Sequence, residues 1–292
     1  MVDRPGPGEK GDGGLMLKCT SKLAILLLLT AALGSAADVS ASSATALDAG
    51  YQDLYNLQFD DAHKTFTQWQ QQHPDDPLGP VSDAAAYLFS EFDRLHILQI
   101  EFFAQDKNFQ TQHSLAPDPA SKRNFDAELD KAQQLADAKL SRNPNDSNAL
   151  YASVLMLGLR GDYIALIEKR NLAGLSYMKK ARALAERLLR VDPTCYDAYV
   201  AVGVENYMLS LKPAPVRWLL ELGGAEADKA TGIKDLRLTA QHGRYLLSYA
   251  RLLLAVAALR DNDRTAARDL LQQLAQTYPN NHLYAQELAS LH

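Results

Sequence analysis

Apolar residues recur along this chain at intervals of three and four, and the sustained apolar/polar alternation of a half-buried strand is almost absent. Four of the amphipathic stretches close on the same punctuation: His73-Pro74-Asp75-Asp76, Asn143-Pro144-Asn145-Asp146, Asp192-Pro193-Thr194 and Tyr278-Pro279-Asn280-Asn281. Proline lacks the amide proton for the next helical bond and pushes the residue before it out of the α region. The Asp, Asn or Thr that follows can cap a new helix by accepting bonds from its free N–H groups. Each mark therefore predicts a helix stop followed by a helix start.

Counting back from the prolines, small residues stand twelve positions earlier, at Ala62, Ala132, Ala181 and Ala267. Phe66, Ala136, Ala185 and Leu271 stand eight earlier, and Trp69, Lys139, Leu188 and Leu274 five earlier. The alanines let the two helices of a hairpin approach closely, while the larger side chains bury against the next hairpin. Lys139 departs from this pattern and makes the second repeat the least regular. The pattern resembles the second helix of the tetratricopeptide (TPR) motif, and the chain resembles exported bacterial TPR proteins over most of residues 44–290. That resemblance implies an all-α fold, a right-handed α-α superhelix of TPR-like helical hairpins, with second helices ending near 74, 144, 193 and 279. Intervals of 70, 49 and 86 residues between those prolines, against a period of about 34, require irregular insertions near 77–122 and 212–243. Within them, Pro77 to Asn108 reads as one long helix carrying Leu88, Phe92, Leu95, Leu98 and Phe102, followed by a loop at Ser114 to Lys122. Gly161 to Ser176 reads as a bend. Lys212 to Gly243 contains the short PAPVRWLLELGG helix and a further helix over Ala227 to Gln241.

The N-terminus carries a different signal. Leu23 to Ala32 (LAILLLLTAA) is apolar over the length of a signal-peptide core, Lys18 and Lys22 flank it, and Ser35-Ala36-Ala37 fits a small-x-small cleavage site before Asp38. The expectation is a signal peptide over 1–37, with Met16 the start of a compact signal, and one domain over 38–292 that is exported to the periplasm or secreted. The apolar core is shorter than the roughly 20 residues of a stable span; retention as an N-terminal anchor is the alternative.

Removing residues 1–37 takes four basic and three acidic side chains from the 30 and 35 of the full chain, leaving a net charge of −6. A mildly acidic surface lacks the basic footprint that nucleic-acid binding requires. Of two cysteines only Cys195 remains, so no internal disulfide can form and apolar burial must hold the fold.

Candidate chemistry is sparse. The chain has no His-Glu-x-x-His, Gly-x-Ser-x-Gly or phosphate-binding glycine loop, and its seven histidines form no i, i+3 or i, i+4 pair. No catalytic, cofactor-binding or metal residue is assigned. Asp75-Asp76 and Asp261 to Asp263 read as helix caps, and Cys195, despite a helix start beside it, as a structural thiol. The stretch Tyr196 to Leu211 is apolar on nearly every face, so that Glu205 and Asn206 interrupt a surface packed on both sides. Two readings follow: Tyr199, Glu205, Asn206 and Tyr207 line a ligand or peptide groove, or they form a buried polar network holding the 212–243 segment. The leading functional expectation is an exported TPR-like scaffold, not an enzyme, that binds a protein or peptide in the cell envelope. A second rests on a resemblance to the TPR-containing T-component of TRAP-type transporters, which implies a small apolar solute taken into the helical body.

Overall fold

The computed structural model describes residues 45–99, 116–211 and 228–291. Among them the protein is all-helical: eleven α-helices and no strand. They are α1 (Ala46–Tyr55), α2 (Phe59–Gln72), α3 (Leu78–Arg94), α4 (Pro119–Arg142), α5 (Ser147–Asp162), α6 (Asn171–Val191), α7 (Tyr199–Ser210), α8 (Lys229–His242), α9 (Leu247–Arg260), α10 (Arg264–Thr277) and α11 (His282–Ser290). A π-helical turn, Tyr163–Ile167, extends α5, and a short 3₁₀ turn, Tyr196–Ala198, leads into α7. The leader with its cleavage point, the far end of the helix read to Asn108, and the PAPVRWLLELGG segment lie outside the described residues.

Helices α2, α4, α6 and α10 each end two residues before Pro74, Pro144, Pro193 and Pro279. Each X-Pro step forms a reverse turn, with the amides of Asp76, Asp146, Cys195 and Asn281 donating to the carbonyls of His73, Asn143, Asp192 and Tyr278. Asp146 then caps α5 through the Ala149 amide and Asn281 caps α11 through Leu283. The small residues twelve before each proline are buried, as are Phe66, Ala136, Ala185 and Leu271. Fully burying one of the larger side chains stabilises the fold by about 1.5–3 kcal/mol.

Successive helices pack in pairs, α1 with α2 through α9 with α10, and each pair packs on the next. The first helices α1, α3 and α5 also touch, forming an inner row. Much of Lys212 to Gly243 is less an insertion than the second half of a hairpin, because α8 packs along α7. Gly203 and Gly232 permit that crossing: a Cβ on Gly232 would stand 2.7 Å from the Tyr207 amide nitrogen and 2.8 Å from the Gly203 carbonyl oxygen.

The helix read as continuing to Asn108 stops at Arg94. The Ile97 amide donates back to the Phe92 carbonyl at 2.8 Å and that of His96 to Asp93 at 3.0 Å, with His96 in the left-handed region (φ 54). Ile97, fully buried, supplies the apolar contact that fixes this stop. Leu57 and Asn262 end α1 and α9 in the same way.

The array closes on itself. Tyr55 Oη donates to the Tyr245 carbonyl at 2.8 Å, Asn281 Nδ2 to the Tyr55 carbonyl at 2.8 Å, and Gln52 Nε2 to the Thr277 carbonyl at 3.1 Å. Arg244 binds Asp48 with both Nε and Nη2, at 2.8 and 2.7 Å. The first helix is thereby sealed against the last hairpin.

Candidate functional site

The four α7 residues do not share one environment. Glu205 and Asn206 are buried and face Arg182 of α6, whose Nη1 donates to Asn206 Oδ1 at 3.0 Å and whose Nε lies 3.9 Å from Glu205 Oε2. Arg182 also binds Glu186 one turn along, at 2.8 Å. Tyr199, half-buried, stacks on Tyr196 with ring centroids 6.4 Å apart. Tyr207 is buried where α7 crosses Gly232. Glu205 and Asn206 thus come together at the α6–α7 seam, while Tyr199 and Tyr207 belong to other contacts.

A denser centre lies on the inner row. Asp197 is buried and accepts four bonds: from Tyr151 Oη at 3.1 Å and from the amides of Arg244, Tyr245 and Leu246 at 2.8, 2.9 and 3.2 Å. Burial pushes its carboxyl up, and these donors pull against that shift. Gly243 leaves room for this arrangement, since a Cβ there would stand 2.5 Å from Asp197 Oδ1. Around it Tyr245 stacks on Tyr51 at 4.8 Å and on Tyr151 at 6.3 Å, and Ser82 Oγ donates to Tyr51 Oη at 3.1 Å. Side chains from α1, α3, α5 and the turn before α9 therefore plug one end of the inner row. Tyr-Asp-Ala after Pro193 and Gly-Arg-Tyr before α9 were the available sequence signals, but only the fold brings them together.

Farther along the same row α5 carries residues that keep accessible surface. Tyr151, Leu155, Gly158 and Asp162 form one stripe of α5 at i, i+4, i+7 and i+11. Tyr151 is buried in the plug, but Leu155 and Asp162 keep accessible surface, and nothing lies within 4 Å of where a Gly158 Cβ would stand. On α9 the matching stripe continues from Tyr245 to Tyr249 and Leu252, both half-buried. Tyr249 meets Phe89 of α3 edge-on at 6.1 Å. Desolvation alone raises the Asp162 carboxyl to about 7, and the proximity of Asp162 adds to the rise at Tyr249. Asp162 thus keeps part of its surface while its carboxyl stands where burial disfavours the charged form. No hydrogen bond or ion pair reaches Asp162 among the described residues.

Near the α3 and α11 ends, a cleft of about 360 Å³ is bordered by Arg94, His96, Leu98, His282 and Leu283. Leu98 and Leu283 also border a water-sized space of about 30 Å³ that reaches Phe89 and Leu252.

Two other groups with chemical potential have local partners. His63 Nδ1 lies 2.5 Å from Asp83 Oδ1, the His63 ring packs on Tyr87, and Gln70 links Asp83 to Glu128, clasping α2, α3 and α4. Cys195 is half-buried, and burial, with the Asp197 and Asp192 charges, pushes its thiol up to about 12, opposite to the lowering a helix start would give. Among the described residues no three His, Cys, Asp or Glu side chains converge as a metal-binding group. Comparison with protein-family models, with curated proteins and with solved structures finds no match to this chain.

Proposed function

We propose that this chain is an exported, TPR-like helical-hairpin protein that binds rather than catalyses, and that its ligand is a small molecule held between the inner helices. The observation carrying this reading is the sealing of α1 against the last hairpin through Tyr55, Asn281 and Arg244. An open solenoid offers a long concave surface to an extended peptide. Here Tyr51, Tyr151 and Tyr245 fill one end of the inner row by stacking on each other, while farther along α5 nothing stands within 4 Å of a Cβ at Gly158. Recesses lined by apolar and aromatic side chains with one or two polar groups suit small ligands. The polar clusters at Asp197, Arg182 and His63 each tie helices together, so none is assigned a catalytic role. The apolar LAILLLLTAA stretch and the Ser35-Ala36-Ala37 site support export.

Native mass spectrometry of the mature protein, purified without detergent from its own cell envelope, tests the reading. A small-molecule adduct that collisional activation strips away is the expected result. A bare chain that instead co-elutes with a stoichiometric protein partner would favour a protein- or peptide-binding scaffold.

A further inference from the structure

Helix α6 differs in charge from the chain around it. Its 21 residues carry five basic side chains against one acidic, whereas the 24 residues of α4 set five against four. The chain as a whole is net acidic. Glu186, the one acid of α6, is held by Arg182 at 2.8 Å, and Arg182 turns inward to Asn206. Lys179, Lys180, Arg187 and Arg190 meet no carboxylate among the described residues.

Those four cations share one side of the helix. Leu172, Lys179, Arg187 and Arg190 follow one another at i, i+7, i+15 and i+18, close to whole turns, and Lys180 stands beside them. Arg187 also donates to the Pro144 carbonyl at the surface, and Lys180 lies over the Tyr177 ring at 5.5 Å. The opposite side, Gly174, Ala181, Ala185 and Leu188, is buried. Apolar side chains mark both ends of the row. Three large hydrophobic residues stand exposed among the described residues, and two of them are Leu172, at 86%, and Val191, at 38%. They lie about 28 Å apart along the axis.

Four like charges along one side repel each other, and an exposed leucine forgoes apolar burial. A partner that is anionic at its surface and apolar beneath relieves both. An anionic bilayer has that layering, with headgroup phosphates for the lysines and arginines and acyl chains within reach of a leucine. A protein partner calls instead for an aromatic anchor or a pocket at the centre of the patch. Between Leu172 and Val191 the exposed stripe offers Ser176, Ala183 and the cations. We propose that this outward side of α6 docks on an anionic lipid surface, with Lys179, Lys180, Arg187 and Arg190 on headgroup phosphates and Leu172 inserted below them. The proposal does not depend on the small-molecule reading above.

Flotation of the mature protein with vesicles tests it, one set of phosphatidylcholine alone and one of equal parts phosphatidylcholine and phosphatidylglycerol. Each Lys or Arg near such a surface contributes about fivefold to binding, so the anionic vesicles should be preferred by about a hundredfold or more, less as salt rises. Lys179→Gln, Lys180→Gln and Arg190→Gln in one chain should lower anionic binding by about a hundredfold. Leu172→Ser should lower it by about tenfold. None of these side chains lies on the buried side of α6, so both variants should keep the natural thermal midpoint. Equal binding to the two kinds of vesicle, or binding to neither, overturns the proposal. Undiminished anionic binding in the folded triple variant removes α6 as the docking side, and undiminished binding in Leu172→Ser overturns the insertion of that residue. Binding of labelled poly-glutamate without binding of anionic vesicles overturns the lipid assignment and gives the same side to an acidic polypeptide.

Discussion

Gly158 and Gly232 both sit inside helices, where glycine costs about 1 kcal/mol against alanine. Their surroundings give substitution opposite signs. Nothing stands within 4 Å of a Cβ at Gly158, so Gly158→Ala should stabilise the protein by about 1 kcal/mol in urea denaturation. At Gly232 the same methyl would press on the Tyr207 and Gly203 backbones at 2.7 and 2.8 Å, which cannot move without separating α7 from α8. Gly232→Ala should cost about 2 kcal/mol or more by the same measurement. Asp162 adds a dependence on pH. Its carboxyl, raised to about 7 in the folded protein, keeps its proton where the unfolded chain, with an ordinary value near 4, has lost it. Its contribution to stability is therefore full below about pH 4 and declines as pH rises to about 7. For ligand-free protein, Asp162→Asn should gain on the natural chain across that interval. The gain should level off above it, at no more than about 4 kcal/mol, because the residue keeps part of its accessible surface. Parallel stability curves for the two proteins from pH 4 to pH 8 would count against this account of the residue.

The legibility of the helices followed from how local their determinants are. A stop made by X-Pro depends on one residue's missing amide proton, so the ends of α2, α4, α6 and α10 could be read from single prolines. The stop at Arg94 could not, because it turns on His96 adopting the left-handed region without the glycine that ordinarily marks it. Helix α8 was legible as a helix but not as the partner of α7, since the pairing depends on Gly203 and Gly232, 29 positions apart in the chain. On α7, Glu205 and Asn206 stood out as polar residues in an apolar helix, but their partner Arg182 lies on another helix and carried no mark of its own. That seam yields a test of its own. Asn206→Ala removes the oxygen that accepts from Nη1 of Arg182, a side chain only 13% exposed. It should cost about 1 kcal/mol in chemical denaturation, the worth of one hydrogen bond lost while Glu186 and Glu205 still face the guanidinium. An unchanged midpoint would point back to a groove-lining role for this residue.

At the scale of the molecule, closure changes how stability is shared among the hairpins. In an open repeat array each unit leans only on its neighbours, and terminal units fray before the middle opens. Here α1 is both the first of the described helices and the neighbour of the last hairpin, through Tyr51 on Tyr245, Tyr55 on Tyr278 and Asp48 on Arg244. The contacts that plug the inner row are those that join its ends, since Asp197 orders the Arg244–Leu246 amides that present Tyr245 to Tyr51. Opening α1 therefore uncovers buried tyrosines on two other elements, Tyr245 and Tyr278, so the amides of α1 and α9 should exchange at a rate near that of global unfolding. Asp197→Asn keeps the shape of the side chain but weakens its acceptance from three amides and Tyr151. Hydrogen–deuterium exchange of that variant should show protection falling together in α1, in the turn before α9 and in the 277–281 turn, while the α4–α5 hairpin seam holds. Loss confined to the 244–246 turn would mean that the first and last hairpins rest side by side without being coupled. Loss at α1 and at the 277–281 turn together would establish Asp197 as the tie that couples the first hairpin to the last.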